Sequence, residues 1–490
     1  MEFVADLHLH SKYSRAVSQQ MVLTEMAKWA VKKGINLLTA SDFTHPLWLR
    51  NIKGELEESG EGVYKLRIKD PHFAKASRGK EGLRIKDVRF ILTTEIASIY
   101  KQGEKVRRIH NLLFAPSIEV VEKISQELRQ RGANLNADGR PIIGLSSRNL
   151  LELALNIDKR IILIPCHAWT PHFGIYGSAS GFDSIKESFE DLSNYIYGIE
   201  TGISSDPWMN WQISELENRS ILSFSDAHSA PKMGREATVF EIDKTLDTLT
   251  YTDIGKAIVF QMRSVRQAQD KDRKWSGRRS SPASEARQGR MMENSARVAY
   301  TVEFYPEEGK YHYTGHRNCK VIKSPQQIKE DGNICPVCNR RLTEGVMYRV
   351  QQLAGSSDFK PYNSELDKNG VSWIKDPKNN HPPFVKLVPF NEVLAESMGA
   401  TVLSDKVKVK FDEMCSDFGS ELNILLKTPI AEIEKKFGEK IAEGVAKVRK
   451  GDILIDPGYD GEYGKVKIWS DKPAIDISTV VQESQLGLKF

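Results

Sequence analysis

The chain has few cysteines and no long apolar segment. Five of its 490 residues are cysteine, and most of them lie close together, which favours metal binding in a reducing compartment over a disulfide framework. Cys166 and Cys415 lie outside this group and are interpreted as ordinary buried thiols. No run of about 18 apolar residues occurs, so no membrane span is expected. A strand-like segment starts at the first residues and leaves no room for a signal peptide, so we expect a cytoplasmic protein.

The chain also lacks a G-x-x-x-x-G-K-[ST] phosphate loop, which excludes a P-loop helicase or ATPase motor. The net charge is only +5, although 70 lysines and arginines permit local basic surfaces. Charge alone therefore does not imply nucleic acid. A hydrophobic content of 40% is enough for packed cores, and a length of 490 residues predicts two or three domains.

A histidine pair at the start of the chain is the first sign of chemistry. His8 and His10 follow an apolar segment, and residues i and i+2 of a strand face the same side, with Asp6 behind them. Two adjacent imidazoles suit a divalent metal, and a nearby carboxylate can orient them. Alone the pair is weak evidence, since two polar residues at a strand edge would look the same.

The same pattern recurs downstream, where short apolar segments keep ending on residues that bind metals. A strand followed by a polar ligand and then a helix is typical of an α/β barrel with its site at the carboxyl ends of the strands. The residues that end these segments are Asp42, His45, Glu95, His110, His167, Asp226 and His228.

A series of motifs spans nearly the whole chain. They are DLHLHSKYSR at 6–15, SDFTHP at 41–46, HNLLFAPS at 110–117, SGFDSI at 180–185, ETGISSDP at 200–207, SDAHS at 225–229, GREA at 234–237, EFYPEEGKYHYTGHRNC at 303–319, PPFVKLVPF at 382–390 and PGYDG at 457–461. This series resembles the PHP (polymerase and histidinol phosphatase) family, and within it the endonuclease Q group of DNA-repair enzymes.

The resemblance implies an α/β fold: a distorted (β/α)7 PHP barrel, then a zinc ribbon and a mainly helical C-terminal domain. It implies hydrolysis of DNA on the 5′ side of a deaminated base (uracil, hypoxanthine or xanthine) or an abasic site. It also implies two or three divalent ions, which could be Zn, Mn, Mg or Fe, and it leaves room for a replication or repair clamp as a partner. The alternatives are a PHP phosphoesterase for a small phosphate ester and a non-catalytic DNA-binding scaffold.

The family pattern also implies a ligand set. One ion would be held by His8, His10, Glu95 and Asp226, and these four side chains are expected to be catalytic. A second ion would be held by Glu95, His110 and His167, and a third by His228. The sequence departs from the family where Ala16 replaces a histidine and where the usual Asp-His pair is spaced as Asp42 and His45, so these two residues are candidates to replace the missing nitrogen.

A second group of potential metal ligands lies near residue 320. His316 and Cys319 form an H-x2-C pair, and Cys335 and Cys338 form a C-x2-C pair fifteen residues further on. This is the spacing of a zinc ribbon, in which two knuckles fill a tetrahedral zinc site and leave no open position for chemistry. His312 is the alternative fourth ligand.

Two segments, residues 12–15 and the loop after His167, could contact the substrate. The loop after His167 is aromatic, and it could stack on a base taken out of a helix; alternatively, Trp169, Phe173 and Tyr176 close the barrel. The candidate substrate-binding residues are Lys12, Tyr13, Arg15, Trp169, His172, Phe173, Tyr176 and Ser178.

The composition suggests the domain boundaries. Residues 1–262 are predicted to form the PHP domain, 263–297 a basic linker or insertion, 298–350 the zinc ribbon and 351–490 a C-terminal DNA-contacting domain. The linker has too few apolar residues to order itself; it could touch DNA phosphates, or it could be a solvated charge run.

Three local predictions complete the analysis. A first helix over Thr24–Lys33 should end at Gly34. Residues 50–87 are charged and glycine-rich and are interpreted as a loop over the barrel mouth, with His72 solvated. Residues 430–445 predict helix, glycine turn and helix, compatible with a helix-hairpin-helix contact to DNA or with a plain helical pair. Lys447, Arg449 and Lys450 would add positive charge there.

Overall fold

A mixed β-sheet of 13 strands is the largest element of the protein. The structure is a computed structural model and describes residues 1–67, 84–259, 296–355, 359 and 362–469. Most of the predicted linker, His72 and part of the predicted mouth loop lie outside these ranges. None of the helices within them is long and apolar enough to cross a bilayer.

The strands fall into one large sheet and three two-stranded ones, and they are numbered along the chain. They are β1 (Glu2–Asp6), β2 (Leu37–Thr39), β3 (Leu56–Gly60), β4 (Val63–Leu66), β5 (Arg89–Gln102), β6 (Lys105–Ala115), β7 (Ile142–Ile143), β8 (Ile162–Pro165), β9 (Gly198–Glu200), β10 (Ser220–Leu222), β11 (Ala237–Glu241), β12 (Arg297–Glu303), β13 (Thr314–His316), β14 (Val321–Lys323), β15 (Asn363–Leu366), β16 (Ser372–Lys375), β17 (Phe384–Lys386), β18 (Leu454–Asp456) and β19 (Lys465–Lys467).

Helices connect the strands in the first half of the chain and dominate the region after β17. The α-helices span Leu23–Lys33, Pro46–Glu55, Ile118–Gln130, Ser147–Ile157, Ile185–Phe189, Pro207–Trp211, 251–259, Pro325–Asp331, Val346–Ala354, Phe390–Ser397, Asp405–Phe418, Glu421–Leu426, Ile430–Phe437 and Glu439–Lys450.

The sheet runs in the order β15-β16-β17-β12-β11-β1-β2-β5-β4-β3, and β6 joins β5 to β8. β1, β2 and β5 are parallel neighbours, so their carboxyl ends meet at one edge. A parallel bridge between Leu9 and Ala227 brings the segment after β1 beside the segment after β10. The predicted mixed α/β class is confirmed, and the seven-stranded barrel stays a prediction.

Apolar side chains of these strands fill the space beneath that edge. Phe3, Ala5 and Leu7 are fully buried and pack with residues of β5, β6, β8 and β11. Strands buried on both faces are typical of parallel sheets covered by helices, which explains the continuous apolar runs in the sequence. The polar residues that follow the strands are therefore supported by a packed apolar core.

The first helix confirms its prediction to within one residue. It spans Leu23–Lys33, and Gly34 takes a left-handed φ of +87°, with its N–H donating to the carbonyl of Ala30. A Cβ at this glycine would come within 2.6 Å of Ser420 Oγ. Glycine is therefore needed at this position both for the backbone conformation and for the close approach.

The prediction of a loop over 50–87 is wrong for its first part. Residues 50–66 continue a helix and then form the antiparallel hairpin β3–β4, which adds to the edge of the large sheet through β4 and β5. Leu56, Val63 and Tyr64 are buried in this hairpin. These few apolar side chains anchor the segment. The many charged residues around them concealed the alternation of apolar and polar residues that is typical of a strand.

The predicted helix, glycine turn and helix is confirmed near the C-terminus. Helices Ile430–Phe437 and Glu439–Lys450 are separated by Gly438 alone, at φ +92°. The prediction that Arg449 adds surface charge is wrong, because its side chain is buried and donates to the carbonyls of Leu425, Asn369 and Ile424. A guanidinium can be buried when backbone acceptors satisfy it, and here they lie at the end of another helix.

The predicted domain boundaries stay predictions. β12 pairs with β11 on one side and with β17 on the other, so one sheet contains residues from both sides of the stretch 260–295. Residues on both sides of this stretch also share one apolar core, which joins Ala237 to Val385 and Phe390.

Candidate functional site

The structure brings six of the predicted ligands together in two groups near the carboxyl ends of β1, β8 and β10, although Glu95 and His110 lie within β5 and β6 and not at their ends. His8, His10 and Asp226 form one group, and the second joins Glu95 to two further histidines, His110 and His167. Within each group the ligand atoms all lie within 4.8 Å of one another. Nitrogen and oxygen donors in this mixture suit Zn, Mn, Fe or Mg.

Glu95 lies between the two groups. One of its oxygens, Oε2, is 3.3 Å from His10 Nε2, and the other, Oε1, is 3.1 Å from His167 Nε2. Oε1 also contacts Nδ1 of His110. One carboxylate therefore faces both groups, which is the placement that a bridging ligand requires.

The donor atoms of the first group fit a bound cation. His8 Nε2, His10 Nε2 and Asp226 Oδ1 are buried and make no hydrogen bond. Buried polar atoms without partners are costly and rare in native proteins. A divalent ion would satisfy all three atoms, and we take this as the observation that supports a metal centre here.

Carboxylates outside the groups hold the first two histidines. Nδ1 of His8 is 2.9 Å from Glu200 Oε1, and the other oxygen of Glu200 accepts the backbone N–H of His167 at 2.8 Å. Nδ1 of His10 is 3.1 Å from Asp42 Oδ1. A carboxylate on the far nitrogen fixes the ring and its tautomer, so that Nε2 is left for a metal.

Asp42 is therefore placed behind His10. Its second oxygen accepts the N–H of Ser11 at 2.6 Å and the hydroxyl of Ser14 at 2.8 Å. With both oxygens engaged, Asp42 supports His10 from behind, whereas the sequence made it a candidate to replace the missing nitrogen; that role stays a prediction. His45 stacks on Tyr13 at 4.5 Å between ring centroids and lies in neither group.

Three of these residues have backbones in the left-handed region. The φ angles are +39° at Asp42, +29° at His167 and +46° at Asp226. Such angles are unfavourable for residues other than glycine and concentrate at functional sites. The chain thus turns sharply where each strand ends, which aims these side chains at the groups.

The electrostatics keep both carboxylates ionised. Burial raises a carboxyl pKa, but the charge and hydrogen bonds of His110 and its neighbours hold the pKa of Glu95 well below its ordinary value. At Asp226 the same burial is outweighed by His10 and His8, and the pKa is again lowered. Carboxylates bind metal in the deprotonated form. Although burial alone would lower them, the carboxylates of Glu200 and Asp42 raise the pKa values of His8 and His10, so a bound cation would displace a proton from each ring.

His228 and Cys166 border the groups. The His228 side chain is 34% exposed, and its ring centroid lies 4.8 Å from that of His10, on the open side of the site. Cys166 is fully buried, as an ordinary buried thiol would be, but it lies with His8 and Glu95 in a third set of neighbouring donor atoms.

The aromatic loop after His167 is mostly part of the core. Trp169 and Tyr176 are buried and donate hydrogen bonds, to Asn210 and to Glu215, both at 2.7 Å. These two residues therefore fit the alternative in which they close the barrel. Phe173 is half-buried and packs on the ring of His110 at 4.4 Å.

The other candidate substrate residues are more accessible. His172 and Ser178 are exposed, and Lys12 and Tyr13 are half-buried next to one another. Arg15 is 77% exposed, with its guanidinium 3.5 Å from Asp138. These residues stay candidates for substrate contacts.

The four predicted ribbon ligands also meet. The ligand atoms of His316, Cys319, Cys335 and Cys338 lie within 4.8 Å of one another. The residue after each knuckle, Lys320 or Asn339, has a positive φ. His312 is buried elsewhere and is not in this set, so the structure favours His316 as the fourth donor.

Sequence reasoning missed two residues of the main site, Glu200 and Arg140. Glu200 ends β9, much as His167 and Asp226 follow β8 and β10, and this position could have identified it. Arg140 lies before the short strand β7, with Nη1 3.2 Å from Glu95 Oε2. Nothing in the sequence around it suggested a role.

Replacing Glu200 by Gln should weaken metal binding at the main site by about 10- to 100-fold, because the amide holds the His8 ring less firmly than a carboxylate does. Titration of metal-stripped protein against a chelating dye would measure this change. The control is Glu217→Gln, which alters an exposed partner of Lys378. Equal affinities in the two variants would contradict the orienting role of Glu200.

Fold and site together define a mixed α/β protein with a histidine and carboxylate cluster that could bind metal. Comparison with known proteins shows which proteins the chain resembles. Over 98% of its length the chain matches the lesion-specific endonuclease PfuEndoQ from Pyrococcus furiosus, covering 99% of that chain, with a TM-score of 0.72 and 26% identity. It matches endonuclease Q bound to a 27-mer duplex with an abasic lesion at the active site equally well, with a TM-score of 0.72 and 27% identity over 96% of this chain and 98% of that one. The resemblance to endonuclease Q is confirmed.

Two relatives by sequence are uncharacterised proteins. YqxK of Bacillus subtilis is 26% identical over 477 residues, which are 94% of this chain and 98% of that protein. MJ0043 of Methanocaldococcus jannaschii is 28% identical over 308 residues, or 62% of this chain, and the match spans only 32% of its length. A family described as the MJ0043 C-terminal domain matches residues 389–452.

Proposed function

We propose that this protein is a DNA-repair endonuclease that hydrolyses the phosphodiester on the 5′ side of a deaminated base or an abasic site. The observation that carries the proposal is the likeness to endonuclease Q, at 26% to 27% identity over 96% to 98% of the chain. The buried cluster of histidines and carboxylates supports it, since such a cluster suits metal-assisted phosphodiester hydrolysis.

Within this proposal the two groups of ligands hold two divalent ions. His8, His10 and Asp226 would hold the first, Glu95 would be shared, and His110 and His167 would complete the second. His228 would contribute to a third ion on the open side. Bound ions of this kind activate water for attack on phosphorus and stabilise the charge on the departing oxygen.

The rest of the chain's contribution is to hold these donors in place. Glu200 and Asp42 fix the two histidines of the first group, and the carboxylate charge of Glu95 and Asp226 attracts the cations. Because the cluster is built on strand ends above a packed core, its geometry needs little adjustment when substrate binds.

The DNA would be contacted by several surfaces of the protein. Phe173 packs on His110, and the helical pair around Gly438 offers backbone amides that could meet a phosphate. Reaching a base inside a duplex requires rotating it out of the stack, at a cost of a few kcal/mol. An abasic or mismatched position lowers that cost, which would favour damaged DNA.

The proposal is tested by cleavage of otherwise identical labelled duplexes that carry uracil, hypoxanthine, xanthine, an abasic site or no lesion. We expect metal-loaded protein to cut the damaged duplexes at least about tenfold faster than the undamaged one, because the unstacking cost differs by a kcal/mol or more. Metal-stripped protein should be inactive, and restoring one metal at a time would identify the active ion. Equal cutting of all duplexes would remove the lesion-specific part of the proposal.

A further inference from the structure

Arg140 places a positive charge directly beside the metal-binding groups. Its Nη1 lies 3.2 Å from Oε2 of Glu95, the carboxylate that faces both groups. The Arg140 side chain is 25% exposed, whereas Glu95 is 1% exposed. The guanidinium therefore stands between the buried cluster and the solvent from which a substrate arrives.

The backbone around Arg140 is anchored on both sides. The N–H of Gly139 donates to the carbonyl of Tyr13 at 3.1 Å, and the carbonyl of Pro141 accepts the N–H of Ala97 at 3.0 Å. A Cβ at Gly139 would collide with Asp42 and Ser14, so this loop packs closely against the residues that support His10. The chain thus holds the arginine in place before any substrate binds.

The position of this charge calls for an explanation. A fixed cation next to a metal centre opposes metal binding, and such a residue is tolerated only if a nearby carboxylate offsets it. Glu95 does so through one hydrogen-bonded oxygen, and the charges of Asp226 and Asp138 add to it. A guanidinium has five N–H donors in a planar fork, and one hydrogen bond to Glu95 leaves others for a second acceptor.

We propose that Arg140 is a catalytic residue that binds a non-bridging oxygen of the phosphate being cleaved. This inference rests on the proposed function and assigns the phosphate contact to a residue of this chain. The planar fork matches phosphate geometry, and a partly buried guanidinium stabilises the extra negative charge that develops as water attacks.

The experiment compares Arg140→Ala and Arg140→Lys with Arg131→Ala. Arg131 is an exposed arginine of the same region that, within the described part of the chain, pairs with its helix neighbour Glu127. For each metal-loaded variant we would measure metal content, affinity for an abasic duplex and the single-turnover rate of cleavage. We expect Arg140→Ala to slow cleavage by about 10² to 10³-fold with full metal content and DNA affinity within about tenfold. Lysine should restore part of the rate, and Arg131→Ala should behave as wild type.

Calorimetric titration of the same metal-loaded proteins with inorganic phosphate distinguishes a failure of this inference from a failure of the proposed function. We expect Arg140→Ala to bind phosphate at least about tenfold more weakly than wild type. If wild-type protein fails to cut DNA but this difference is found, the endonuclease proposal falls and the anion site stands. If the variant binds phosphate normally, or loses its metal in proportion to its activity, the assignment of Arg140 is overturned.

Discussion

Replacing Asp226 by Asn should reduce cleavage of an abasic duplex by about 10³-fold or more. The side chain keeps its shape but loses the charged oxygen that lies, without a hydrogen-bond partner, between His8 and His10. An amide oxygen is a weaker ligand for a divalent cation, and the loss of a negative charge lowers the affinity of the first group. DNA affinity should persist, because the residue contributes no positive charge to a DNA-binding surface.

The measurement pairs single-turnover cleavage with fluorescence anisotropy of the same labelled duplex. Asp412→Asn is a suitable control, since it removes an equivalent charge from an exposed residue that pairs with Lys32. If Asp226→Asn still cleaves at the wild-type rate, the cluster is not the catalytic centre. If no variant or wild-type protein cleaves and all bind DNA, the protein is a binding scaffold with a metal-site fold.

Replacing Cys335 by Ser should remove one zinc ion per molecule and lower the free energy of unfolding by several kcal/mol. The Cys335 side chain is fully buried and is one of four donors that meet at the ribbon site. The apolar cluster around it is small, with Ile328 and Leu342 as its other buried members. A small core depends on its metal, and structural zinc sites contribute about 10–16 kcal/mol of binding free energy.

Metal analysis and thermal unfolding would check this expectation on purified protein. Cys415→Ser is the matched control, because it changes a buried thiol in another core and should lower stability without changing zinc content. A Cys335→Ser protein that keeps its full zinc content would contradict the ribbon assignment. A protein that loses zinc and retains stability would show that the ion has no structural role.

The sequence predicted which side chains would lie together where the information was local. His8 and His10 lie two residues apart in an extended segment, so their shared direction follows from strand geometry alone. Glu95, His167 and Asp226 each lie where an apolar run ends or turns polar. Strands that end at one edge gather His8, His10, His167 and Asp226, whereas Glu95 and His110 reach the same place from within the antiparallel pair β5 and β6.

It was harder to predict which atoms a side chain contacts once its place along the backbone is known. Asp42 follows a strand as His167 does, but one of its oxygens faces the outer nitrogen of His10 and the other accepts from Ser11 and Ser14, which only packing decides. Arg449 lies between Lys447 and Lys450 in a basic helix end, and its burial depends on carbonyls far away in the sequence. Sequence patterns report hydrophobic periodicity, and a buried charge satisfied by backbone acceptors leaves no trace in that periodicity.

Residues that act through distant contacts were invisible for the same reason. Arg140 reaches Glu95 across the pairing of β7 with β5, a strand of only two residues that no periodicity reveals. The role of the aromatic residues after His167 also depends on their contacts in the folded chain. Trp169 and Tyr176 find buried hydrogen-bond partners more than 30 residues away, so the same composition serves the core where it could have served a substrate.

The pairing of β12 with both β11 and β17 has a consequence for how the protein can be dissected. A fragment ending at residue 262 would expose the backbone donors and acceptors of β11 that β12 now covers. Bare edges of this kind recruit strands from other molecules, so such a fragment would tend to self-associate or precipitate. The strands before residue 260 and those after residue 295 therefore share one sheet, and any division of the chain between them would have to cover that edge in another way.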